Sequence, residues 1–185
     1  EGLAMHFWPR GLLGGLVVLV GACQTTSPMQ RDVFDNGVVR FRLPVPDGQW
    51  RRVQVDKIDV AWTNREGSSL LANAYCTGVD DAPLEVLTNH LFIGMTDRNL
   101  LQQYKTELSH REALVTDMDA KLDGVARRTR AVVVKKDGCV YDLVLSSPPE
   151  AFPEATEHLD ALLAKFEILA RPNRAASTPD VPEGQ

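Results

Sequence analysis

Two Asp-Gly dipeptides, Asp123-Gly124 and Asp137-Gly138, punctuate three runs of strand-like residues and leave this stretch few alternatives. Asp-Gly suits the left-handed central positions of a two-residue hairpin turn. Before the first, Leu114, Thr116, Met118, Ala120 and Leu122 alternate with Val115, Asp117, Asp119 and Lys121. Between the two, Arg127, Thr129, Ala131 and Val133 alternate with Arg128, Arg130, Val132 and Val134. After the second comes Cys139 to Leu145, CVYDLVL, the most strand-like run in the chain. Three strands joined by such turns predict an antiparallel meander.

The residues before it add shorter strands. Val39, Phe41 and Leu43 alternate with Arg40 and Arg42, which predicts a half-buried strand over 37–43. Pro44-Val-Pro-Asp-Gly48 ends it, and Trp50 just beyond reads as a core plug. Val53, Val55, Ile58, Val60 and Trp62 predict a second strand, with a bulge or bend near Asp56-Lys57 where the phase changes. Leu70, Ala72, Ala74 and Cys76 share one face of a third.

Helical spacing appears twice. Leu84, Leu87, Leu91 and Met95 predict a helix capped by Asp80 or Asp81 with Pro83 in its first turn. A second short helical turn is expected around Leu100, Leu101 and Tyr104. Phe152, Ala155, Leu159, Leu162, Leu163, Phe166 and Leu169 predict a long amphipathic helix near the C-terminus, its acids Glu154, Glu157 and Asp160 turned outward. Strands, helix, meander, helix make an α+β domain: a twisted antiparallel sheet flanked by helices.

The first residues carry an address. An apolar run from Gly11 follows Arg10 and ends in Gly21-Ala22-Cys23. It is shorter than the roughly 20 residues of a spanning helix, and its layout is that of a secretory signal. The small pair before Cys23 resembles the lipoprotein box of bacteria. That resemblance implies acylation of Cys23, cleavage before it, and membrane attachment through the lipid. The expected organisation is then a signal peptide over 1–22, a lipidated tether over 23–36, a single domain over 37–170 and a disordered tail over 171–185. Gln24 in place of aspartate favours delivery to the periplasmic face of the outer membrane.

Removing 1–22 takes away one acid and one base, so the net charge of −5 is kept. That balance excludes a general nucleic-acid binder, which needs basic groups to neutralise phosphates. Once Cys23 is lipidated, Cys76 and Cys139 remain, an even pair in an oxidising compartment. A disulfide is the expected state, and two separate buried thiols the alternative.

No strong catalytic signature emerges, and no cofactor or metal site is expected. His90, His110 and His158 lack ligand-like partners at helical spacing. No Gly-x-Ser-x-Gly elbow or glycine-rich phosphate loop follows a strand, and Ser146-Ser147 runs into prolines. Asp117 and Asp119 share a strand face and form the nearest candidate acid-base pair, though two exposed acids on a solvated strand is the plainer reading. An enzyme would need them to converge with His110 and an arginine from 127–130. Arg127, Arg128, Arg130, Lys135 and Lys136 suit an anionic partner or a simple solvated strand.

With these elements placed, the stretch over 38–169 resembles the Mog1/PsbP-like fold. The residues that carry the likeness are Phe41-Arg-Leu-Pro44 through Trp50, Asp137-Gly138 leading into Tyr141–Leu145, and Pro148 to Phe166. More narrowly, the chain is similar to bacterial lipoproteins with ANAYC, PLEVLTNHLFIGMTDR and KKDGCVYDLVL segments in this order. The likeness implies a paired Cys76 and Cys139 and an extracytoplasmic location, and no catalytic residue. Members of the broad fold act mainly through protein surfaces. The expected function is therefore a non-enzymatic adaptor or accessory subunit of an envelope assembly, with an envelope protein as partner. The alternative is a small-ligand or lipid-binding module, its groove lined by Leu84, Leu87, Leu91, Trp62 and Met118.

Overall fold

The computed structural model describes residues 29–170 apart from residue 31 and residues 79–81. The signal peptide, Cys23, the expected capping acids Asp80 and Asp81, and the C-terminal tail all lie outside the described residues.

A meander forms the larger part of the molecule, and it has four strands. Strand β7 (Thr96–Leu108), β8 (Arg111–Leu122), β9 (Val125–Lys136) and β10 (Cys139–Ser147) pair antiparallel in sequence order. Each connection is two residues long with positive φ at both: Ser109-His110 (51° and 61°), Asp123-Gly124 (51° and 80°) and Asp137-Gly138 (53° and 73°). These are the mirror-image turns whose twist matches a hairpin. Before the meander lie β4 (Arg51–Val53), β5 (Val60–Thr63) and β6 (Ser69–Tyr75), and β6 pairs with β10. One seven-stranded sheet results, in the order β4-β5-β6-β10-β9-β8-β7.

Cys76 and Cys139 are joined by a disulfide just beyond the Tyr75–Val140 pair, at the seam where the early strands meet the meander. Leu70 and Ala72 are buried, with Ala74 and Cys76 packed beside them, as the alternation in β6 requires.

The two faces of the sheet are covered differently. Helix α2 (Phe152–Leu163) buries Phe152, Ala155, Leu159 and Leu162 on one face, against Val132, Val134, Leu143 and Leu145. A small second sheet of β1 (Met29–Gln30), β2 (Val33–Asp35), β3 (Arg40–Arg42) and β11 (Glu167–Ile168) completes that core. Phe41 stacks on Phe34 at 5.0 Å and meets Tyr141 edge-on at 6.1 Å. Trp50 and Trp62 are buried in the same cluster, each large side chain contributing about 1.5–3 kcal/mol. Among the described residues the other face carries only α1 (Leu84–His90) and the turn after it.

Four expectations are corrected. The stretch around Leu100, Leu101 and Tyr104 is not helical but lies in β7, thirteen residues of which only Leu108 is buried. Two register shifts break its alternation, and Gly94, at φ 87°, ends the preceding turn. The single bent strand around Asp56-Lys57 is a hairpin of β4 and β5, with Lys57 at φ 61° in the reversal. The last helix stops at Leu163, and Phe166 and Ile168 are buried through a turn and β11 instead. Finally, the folded body begins before Gly37, because Phe34 in β2 is buried at 2% exposure.

Candidate functional site

The sparsely covered face holds an apolar groove of about 530 Å³. Its floor is three cross-strand pairs of β6 and β10: Ser69 with Ser146, Leu71 with Val144, and Asn73 with Asp142. Pleating turns these six side chains to one face and their neighbours Leu70, Ala72, Leu143 and Leu145 to the core. Leu91 and Met95 border the groove from the α1 side, Ile58 from the β4–β5 loop, and Leu122 and Val125 from the β8–β9 turn. Leu122 and Val125 are exposed at 42% and 61%, so this apolar edge faces water.

Asp142 is the exceptional residue. It is 4% exposed, and its Oδ1 is buried with no hydrogen-bond partner among the described residues. Burial pushes its carboxyl up to about 7. Tyr75, on the same face, is pushed up to about 12 by burial first and by the Asp142 charge second. At the other end Arg127 is already committed. Its Nε donates to Ser146 Oγ (3.1 Å), and its Nη2 donates to the carbonyls of Ser146 (2.7 Å) and Gly67 (2.9 Å). A second cavity, of about 490 Å³, lies by Phe34, Arg52 and Asp59, but Asp59 Oδ2 there accepts from the Ala74 amide at 2.8 Å.

The ligand groove expected from sequence is displaced. Leu87 is packed with Val133 and Val140, Leu84 beside them, and Met118 lies against Phe92 and Ala131. Trp62 belongs to the opposite core. Of that expected lining only Leu91 reaches the groove.

The acid-base candidates do not assemble. Asp117 is buried at 4% rather than exposed, and both its oxygens accept from Arg130, at 2.7 and 2.8 Å. Asp119 likewise takes a two-pronged bond from Arg128, which holds its carboxyl below the usual range. Both guanidiniums sit over the Phe152 ring, at 5.7 and 5.8 Å, on the α2 face. His110 is 91% exposed in the β7–β8 turn. His90 is exposed, and His158 meets Trp50 edge-on. The basic set is not one patch. Arg127 serves the groove face, Arg128 and Arg130 the other, Lys135 Nζ donates to the carbonyl of Ala82, and Lys136 Nζ to that of Ser109. Among the described residues no three His, Cys, Asp or Glu side chains are placed to hold a metal ion. No described helix is long and apolar enough to cross a membrane.

The architecture is shared with several solved structures. LpqN of Mycobacterium tuberculosis, a protein involved in cell envelope biogenesis, superposes with a TM-score of 0.56 at 15% identity, over 74% of this chain and 87% of its own. PA94 from Pseudomonas aeruginosa, a protein of unknown function, gives 0.51 at 12% identity, over 76% of this chain and 96% of its own. Cyanobacterial PsbP from Synechocystis reaches only 0.49 at 12% identity, over 70% and 86%, too slight a likeness to define the fold. At these identities the matches establish a common fold and nothing about activity. No protein-family model matches the chain, and no curated protein sequence does.

Proposed function

We propose that this chain is a non-catalytic, lipid-anchored protein of the cell envelope whose domain takes up an apolar ligand in the groove between α1 and the sheet. The observation that carries this reading is an open, mostly apolar groove with one buried carboxyl oxygen on its floor that has no hydrogen-bond partner among the described residues. Ligand sites combine these features: apolar lining for affinity, few polar groups for orientation. Acylation at Cys23 would hold the groove at a membrane surface, where apolar ligands concentrate. The envelope role printed for LpqN and the sequence's resemblance to Mog1/PsbP-like lipoproteins agree with that placement.

The test is a titration with N-phenyl-1-naphthylamine, whose fluorescence rises in apolar sites. Saturable binding to the wild type, lost in a folded Leu71→Trp variant that fills the groove, supports the reading. Absence of binding, or binding that Leu71→Trp leaves intact, overturns it.

A second reading, an accessory subunit docking on an envelope protein, is favoured by β7. Among the described residues this strand pairs only with β8, and it exposes Leu100, Leu101 and Tyr104 at 54%, 43% and 46%. An unpaired edge of this length is a natural template for another chain. Crosslinking in native membranes followed by mass spectrometry separates the two. A reproducible protein neighbour at β7 favours the subunit.

A further inference from the structure

We infer that the groove's ligand is an amphiphile with a primary ammonium head, seated so that the ammonium pairs with the Asp142 carboxylate while the tail lies along Leu71, Val144 and Leu91. This rests on the groove being the binding site and adds the chemical class of what it takes.

Three observations lead there. First, the orphaned atom is an acceptor, so its complement is a donor, and an ammonium also cancels the charge that burial disfavours. Second, the groove offers nothing to an anionic head. Among the described residues its one lining cation, Arg127, already donates to Ser146 and Gly67, and the remaining charged lining residues, Asp123 and Asp142, are both acids. A carboxylate or phosphate head would meet like charge there. Third, the position of Asp142 suits a head-down pose, since it lies beyond Val144 and Leu71 from the exposed Leu122 and Val125 edge.

The groups facing Asp142 do not compete for this role. Across β6 it meets Asn73, with Tyr75 next along, and across β9 it meets Val133. Lys135, on the same face of β9, donates to the carbonyl of Ala82. On α1 the ionisable residues Glu85 and His90 are both exposed. Because the Asp142 carboxyl stands at about 7, a cationic ligand competes with its proton, and affinity rises with pH.

The experiment titrates decylamine, 1-decanol and decanoate separately into the wild-type domain and into Asp142→Asn, at pH 6 and pH 8, by calorimetry. Expected is at least tenfold tighter binding of decylamine than of either other probe, and about tenfold tighter decylamine binding at pH 8 than at pH 6. In Asp142→Asn the decylamine-to-decanol ratio falls to about one. Should that variant fail to fold, the wild-type pH dependence still decides. Equal binding of all three, a preference for decanoate, or decylamine affinity flat with pH overturns the ammonium assignment while leaving the groove as a site. Binding of none of the probes overturns the groove reading, and the head assignment with it.

Discussion

Arg130 Nε and Nη2 donate to Asp117 Oδ1 and Oδ2 at 2.7 and 2.8 Å, a two-pronged ion pair between neighbouring strands with side-chain exposures of only 13% and 6%. Asp160 on α2 meets the same guanidinium at 3.3 Å, so the pair also ties the last helix to the sheet.

Removing one partner of so buried a pair strands the other's charge. Arg130→Ala should lower stability by about 3–5 kcal/mol in urea unfolding. Arg128→Ala, two residues along, should lose less than about 1 kcal/mol, because its partner Asp119 is 32% exposed and screened by water. Equal losses in the two variants would contradict the assignment.

This ladder was within reach of the sequence. A two-residue turn at Asp123-Gly124 pairs Leu122 with Val125, and counting back places Asp119 opposite Arg128 and Asp117 opposite Arg130. Both sets of residues stand out in the pattern, and the two-residue turn supplies the register between them. Asp142 was visible in the same way, as the one charge in CVYDLVL, but nothing local says that β10 lies in the middle of the sheet. Strand β7 was hidden for a physical reason. An edge strand exposed on both faces needs no alternation, and its two bulges scramble what remains. The three strands joined by Asp-Gly turns were legible because turn chemistry and period agreed at each of them.

The disulfide closes a loop whose ends are 63 residues apart in sequence. In the chain-entropy model that constraint removes about 4 kcal/mol of denatured-state freedom. A Cys76→Ser, Cys139→Ser double variant should therefore unfold at a markedly lower urea concentration, and the wild type in reducing agent should follow it. Unfolding curves that coincide with and without reductant would show that the bridge does not form.

Asp142 also gives stability a pH slope. Its folded value of about 7 lies above the unfolded value of about 3.9, so the folded state keeps a proton that the unfolded state releases. The benefit is complete below about pH 4 and lost as pH climbs through 7. Relative to Asp142→Asn, the wild type should lose up to about 4 kcal/mol between pH 4 and pH 8. Urea midpoints for the two proteins at pH 5 and pH 8 check this, and parallel profiles would refute it.

Anchoring is tested separately from the domain. Cells expressing the wild-type chain should incorporate labelled palmitate into it, and Cys23→Ser should abolish both the label and the cleavage before residue 23. Palmitate retained in the variant would place the lipid elsewhere.

Most directly, amide chemical shifts of the isotope-labelled domain can be followed while decylamine is added at pH 8. Perturbations concentrated at Leu71, Asn73, Leu91, Asp142 and Val144 are the predicted result. Shifts confined to β7 or to the α2 face, with these five residues unmoved, would mean that the groove over Asp142 is not where this protein binds.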